Sequence, residues 1–137
     1  MANENFSDMF VKRVSIPCDV NTLFDYHTKN GALERLIPPW SGLSVVSQTG
    51  GINDDAISDF RIALGPIKTK WVSKHFGYIH NRQFQDEMIY GPFKKWVHTH
   101  SFIPEDTKQC IIEDKIKYTP KFGKLGSRIF KKKYIII

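Results

Sequence analysis

Histidines and aspartates that alternate with large apolar residues are the chain's best material for chemistry. In "KWVHTHSFI" a side-chain period of two puts Trp96, His98, His100 and Phe102 on one face of an extended segment. The same alternation groups Trp71, Ser73 and His75 in "KWVSKHF", and Phe84, Asp86 and Met88 in "QFQDEM". In "QCIIEDKIKY" it groups Cys110, Ile112, Asp114, Ile116 and Tyr118, opposite Gln109, Glu113, Lys115 and Lys117. That last segment sets Asp114 among apolar neighbours. A carboxylate there must be paired or protonated, because isolated buried charge is costly.

Four uses are open to His75, Asp86, His98, His100 and Asp114. They can satisfy one another across neighbouring strands, with the histidines partly on a solvent face, and this is the simplest use. They can hydrogen-bond a ligand. They can act as general acid and base, since an imidazole beside a carboxylate titrates near neutral pH. They can also hold zinc or iron, although His98-x-His100 is by itself a weak metal signal, so no metal site is assigned. The apolar candidates are Trp40, Trp71, Phe84, Met88, Trp96 and Phe102. Each alone reads as ordinary core, but together they are a surplus of large side chains around a space. With His75, His98 and His100 they make the candidate ligand-binding set. No phosphate loop, nucleophile elbow or informative Cys-His spacing occurs, and no cofactor is expected.

These residues need elements to position them. "FVKRVSIP" alternates as a strand up to Pro17, and Asp19 can cap a short helix, "VNTLFDYH", with Val20, Leu23, Phe24 and His27 on one face. Asn30-Gly31 breaks it, and "ALERL" adds a turn or two of helix before Pro38-Pro39. Six strand-like runs follow, "LSVVSQ", "AISDFRIAL", "KTKWVSKHFGYI", "QFQDEMIY", "KWVHTHSFI" and "QCIIEDKIKYTP", separated by hairpin-length turns. The closing segment, residues 121–137, sets apolar and basic residues on opposite helical faces. The expected class is therefore α+β, an antiparallel sheet with helices gathered on one side.

Bulk properties remove several classes. A chain of 137 residues, 41% hydrophobic, fits one domain over 1–137 with a real core, not a disordered chain. Two cysteines without a Cys-x-x-Cys argue against a disulfide framework or a thiolate zinc site. The start, "MANENFSDMF", does not read as a signal peptide, so a cytoplasmic setting is expected. The net charge of +6 is unevenly placed. Residues 115–137 carry eight basic and no acidic groups, whereas the other 114 residues hold twelve basic and fourteen acidic ones. Charge confined to one terminal segment does not make a nucleic-acid face. A solvated helix face accounts for it; transient contact with an anionic membrane surface is the functional alternative. Nothing in the sequence speaks to oligomeric state.

Four stretches carry a resemblance: "H…NGALERLIPPW" (His27 to Trp40), "GP…W…H…Y" (Gly65 to Tyr78), "QFQDEMIYGPFKKWVHTHSF" (Gln83 to Phe102) and "EDKIKYTPKFGKLG" (Glu113 to Gly126). Over residues 10 to 126 the chain resembles a subgroup of the SRPBCC superfamily, which includes START lipid-transfer domains, the birch-pollen allergen group and the polyketide cyclase/dehydrase group. The resemblance implies a helix-grip fold: about seven curved antiparallel strands around a C-terminal helix, with a cavity between them. It also implies two short helices closing one end and Trp40 at the cavity entrance or wall. The helix available over 121–137 is shorter than the resemblance implies. The function it implies is binding of a hydrophobic or lipid-like small molecule. The alternatives are a cyclase/dehydratase-type enzyme using the His–Asp cluster, and a partner-binding module with a filled core.

Overall fold

A computed structural model describes residues 5–29 and 31–121. Strand β1 (Asp8–Ile16) leads into helices α1 (Val20–Thr28) and α2 (Ala32–Leu36). Six strands follow: β2 (Leu43–Thr49), β3 (Ile57–Leu64), β4 (Ile67–Ile79), β5 (Gln83–Tyr90), β6 (Phe93–Asp106) and β7 (Gln109–Pro120). They form one antiparallel sheet in the order β1-β7-β6-β5-β4-β3-β2. Strands β2 to β7 are thus a meander, and β1 returns to pair with β7, Asp8 opposite Tyr118 and Ile16 opposite Cys110.

Local chemistry explains the boundaries. Asp19 caps α1, its carboxylate accepting the Thr22 backbone N–H at 3.1 Å. α2 stops at Leu36 because Ile37, which precedes Pro38, is held extended. The helices and strands predicted before residue 121 are present with small shifts at their ends. One difference is larger: β6 continues through Pro104 to Asp106, where a turn was expected from Pro104. A register shift between Pro104 and Asp106 accommodates it. The helix expected over 121–137, with any membrane contact it would make, lies outside the described residues except for Lys121. Among the described residues no helix is long and apolar enough to cross a membrane.

The core lies on one face of the sheet as two clusters. The first comprises Phe60, Ile62, Trp71, Phe93, Trp96, Ile116 and Tyr118; the second comprises Phe24, Ile52, Phe84 and Phe102. Phe93 and Trp96 are three residues apart and would ordinarily face opposite ways. A register shift between Phe93 and Lys95 brings both inward. On the opposite face of β7, Glu113 is buried and neutralised by Arg13 of β1, with Arg13 Nη2 2.6 Å from its Oε2.

The β2–β3 turn needs a residue that tolerates positive φ. Gly50 sits at φ 81°, and a Cβ built there would lie 3.0 Å from the Ala56 Cβ and 3.2 Å from its Cα. Gly50→Ala therefore loses about 1–2 kcal/mol from the left-handed backbone alone, measured by urea denaturation.

Candidate functional site

A polar belt runs across the inner face between the two apolar clusters. On β4 the inward residues read Trp71, Ser73, His75; on β5, Met88, Asp86, Phe84; on β6, Trp96, His98, His100, Phe102; on β7, Ile116, Asp114, Ile112. Ser58 extends the belt onto β3, where it lies opposite Ser73. Register makes the rows: His75 faces Asp86, Asp86 faces His98, and His100 faces Asp114. The belt borders a cavity of about 680 Å³, lined from β2 through β7 and closed at one end by α1 and α2.

The charged part of the belt is a four-residue network. His98 Nε2 lies 2.9 Å from Asp114 Oδ1, and His100 Nε2 lies 3.1 Å from Asp86 Oδ2. His100 Nδ1 is also 3.1 Å from Asp114 Oδ1, so both its nitrogens face carboxylate oxygens. Burial alone would push His100 down, but its hydrogen bonds to Asp114 and Asp86 outweigh this and raise it to about 9. Burial likewise opposes the charge on Asp114 and Asp86, yet the histidine hydrogen bonds hold both carboxyls below the usual range. His98 stacks on His100 with ring centroids 3.7 Å apart. Two charged rings at that distance repel, and burial and the His100 charge keep His98 neutral. Neutral His98 then donates from Nε2 to Asp114 and presents Nδ1 as an acceptor. The network thus holds two carboxylates, one imidazolium and one neutral imidazole.

Asp86, His98 and His100 also meet the geometric requirement for a metal, with donor atoms within 4.8 Å of one another. Two histidines and a carboxylate suit zinc or iron. Such an ion needs neutral imidazoles and must displace the proton His100 retains up to about 9.

In NMR, His100 is expected to stay an imidazolium at pH 8 and to titrate near 9, while His27, His75 and His98, lowered by burial, are expected to titrate below the ordinary histidine value. The raised group stabilises fully below about 6.5, and this is lost as pH rises through 9. The three lowered histidines stabilise above 6.5, and this is lost on acidification. Melting temperature from these groups therefore peaks near pH 6.5. A His100 titrating at its ordinary value would refute the two-carboxylate arrangement.

The cavity gathers Trp71, His75, Phe84, Asp86, Trp96, His98, His100, Phe102 and Asp114, all predicted. Two expectations are corrected. Trp40 is 66% exposed and absent from the lining, because the Pro38-Pro39 turn after α2 carries it outward. Ile37, Pro38 and Ser41 occupy the wall instead. Met88 also lies off the lining; it packs against the first apolar cluster. Of the lining residues that the sequence reading missed, two polar ones matter to the chemistry. His27 reaches the wall from α1, its ring edge-on to Phe102 at 5.0 Å, and its shared face with Phe24 was the available signal. Ser58 is fully buried, and its alternation with Ala56, Phe60 and Ile62 was the available signal.

A curved antiparallel sheet enclosing a part-polar cavity is the architecture of the START and SRPBCC superfamily. The chain belongs to the polyketide cyclase/dehydrase and lipid transport family, whose model matches residues 16–131. No curated protein matches it in sequence. Among solved structures it resembles a norcoclaurine synthase mutant from Thalictrum flavum in complex with a transition-state analogue. The TM-score is 0.70 at 14% identity, covering 95% of this chain and 84% of that one. A START superfamily protein from Mycobacterium smegmatis gives TM-score 0.68 at 14% identity, with 90% and 84% covered. The Zhui aromatase/cyclase from a Streptomyces species gives 0.65 at 8% identity, with 83% and 68% covered.

Proposed function

We propose that the chain binds an apolar or lipid-like small molecule in this cavity. The observation that carries the reading is a space of about 680 Å³ walled by Trp71, Trp96, Phe84, Phe102 and Ile62, crossed on its sheet side by a belt of buried polar side chains. That volume and that mixture suit a small organic ligand oriented by a few polar contacts. Norcoclaurine synthase, similar in fold, has been seen with dopamine and hydroxybenzaldehyde, which supports a site for compact aromatic molecules. Native mass spectrometry of the purified protein tests the reading. An organic adduct lost on denaturation is expected. A protein that stays bare after incubation with a lipid and aromatic extract overturns it.

Acid–base catalysis of the cyclase or dehydratase type is the second reading, and the His98–His100 pair favours it. His98 Nδ1 offers a lone pair, and the stacked His100 ring holds a positive charge beside it, so a bound molecule can meet a base next to a fixed charge. Turnover of the captured ligand that His100→Gln abolishes supports catalysis. A ligand recovered unchanged leaves binding alone.

A further inference from the structure

Among the described residues, two buried polar atoms in the cavity wall make no hydrogen bond: Ser58 Oγ and His75 Nδ1. Ser58 is wholly buried and His75 is 7% exposed, and both line the cavity. They share one corner of the belt, since Ser58 faces Ser73 and His75 follows Ser73 by two on the same side of β4. Ser73 does not serve as their partner; it already accepts the Trp71 indole N–H at 2.9 Å. The Ala56 carbonyl, which already accepts the His75 backbone N–H at 2.9 Å, comes near enough to the ring to favour a proton on it, but not in hydrogen-bond geometry to Nδ1. A buried donor or acceptor left alone costs stability, and a ligand group that meets it recovers that cost.

The chemistry of that ligand group is constrained. Ser58 offers a hydroxyl that both donates and accepts, and a neutral imidazole nitrogen does one or the other according to tautomer. A ligand hydroxyl matches both tautomers, donating to one partner while accepting from the other. The surrounding charge argues against an anion, because Asp86 sits opposite His75 and the belt holds two carboxylates against one imidazolium. An ammonium at this corner meets only carboxylates whose charge is already shared with His98 and His100. We propose that the cavity takes a neutral alcohol or phenol with an apolar body, its hydroxyl seated between Ser58 and His75. This rests on the ligand-binding reading above and names the class of molecule.

The test is a fluorescence titration at pH 7 with pyrene, 1-hydroxypyrene, 1-pyrenecarboxylate and 1-pyrenemethylamine. The wild type is expected to bind 1-hydroxypyrene more tightly than either charged probe. Ser58→Ala and His75→Phe are each expected to weaken 1-hydroxypyrene about five- to tenfold, while pyrene binding changes by less than about twofold. Retained pyrene binding also shows that a variant is folded. In the wild-type protein, where no variant is needed, the His75 Nδ1 resonance should move with 1-hydroxypyrene and not with pyrene. Equal losses for pyrene and 1-hydroxypyrene, tightest wild-type binding of a charged probe, or an unmoved His75 resonance overturns the proposal but leaves the cavity reading standing. A wild type that binds none of the four overturns both.

Discussion

Asp114→Ala is expected to lower stability at pH 7 by about 3–5 kcal/mol, the range for stripping one partner from a buried ion pair. The Asp114 side chain is 12% exposed, so solvent cannot replace it. One oxygen of this carboxylate meets both His98 and His100. Its loss leaves His100 with Asp86 as its remaining ionic partner, and leaves the His98 Nε2 hydrogen without an acceptor. The melting temperature should fall by about 10–20 °C for a chain of this size. The His100 titration should move down from about 9 in the same variant, which a simple packing defect would not cause. Asp114→Asn keeps the shape and an acceptor oxygen, so it should cost less, about 1–3 kcal/mol. Urea denaturation followed by histidine NMR measures both. A loss below about 1 kcal/mol, with His100 unmoved, would place the histidines in solvent instead of in a dry belt.

Phe24→Ala has a comparable effect by a different route. Phe24 is the one buried residue of α1, and its exposure is 0%. Its ring meets Phe102 edge-on at 5.0 Å, Tyr78 at 5.8 Å and Phe84 at 6.4 Å. Truncation removes the ring and leaves a void that the rigid sheet cannot fill, at a cost of about 3–5 kcal/mol. Because Phe24 is the one fully buried residue of α1, the loss should be local first. Amide exchange in α1 should quicken well before that in β6 or β7. His27 sits one turn further along α1 and lines the cavity, so it should lose its shielding and titrate nearer 6.5. Uniform faster exchange across the sheet would show that α1 is not a separate unit. Phe24→Leu should recover part of the loss.

How far the site was legible in the sequence follows from the period-two rule. Alternation alone placed Trp96, His98, His100 and Phe102 on one face, and Cys110 through Tyr118 likewise, because a strand leaves a side chain only two directions. It could not say that His98 meets Asp114 diagonally while His100 lies directly opposite it. That depends on how β6 and β7 slide against each other, and their register is set by turns and shifts such as the one at Phe93. Alternation sets Ser58 on one face with Phe60 and Ile62, but its place opposite Ser73 in the belt appears only when β3 pairs with β4. His27 needed the docking of α1, a tertiary fact. Trp40 misled because its type suggests burial, whereas the two prolines before it decide its direction. The resemblance supplied the cavity and its two closing helices; the pairing geometry supplied the chemistry.

The return of β1 to β7 bears on how the molecule is made. Strands β2 to β7 pair with their immediate neighbours in the chain, so each hairpin can close as soon as its second strand is available. β1 cannot. Asp8 and Tyr118 are 110 residues apart, yet their side chains are hydrogen-bonded at 3.0 Å in the finished sheet. Contacts of such long separation form slowly, because the whole intervening loop must be closed at once. On the ribosome the first strand to emerge is thus the last to find its partner. Until β7 arrives, β1 trails unpaired and the Glu113 carboxylate awaits Arg13. The sheet is completed by a zipping step that joins β1 to β7.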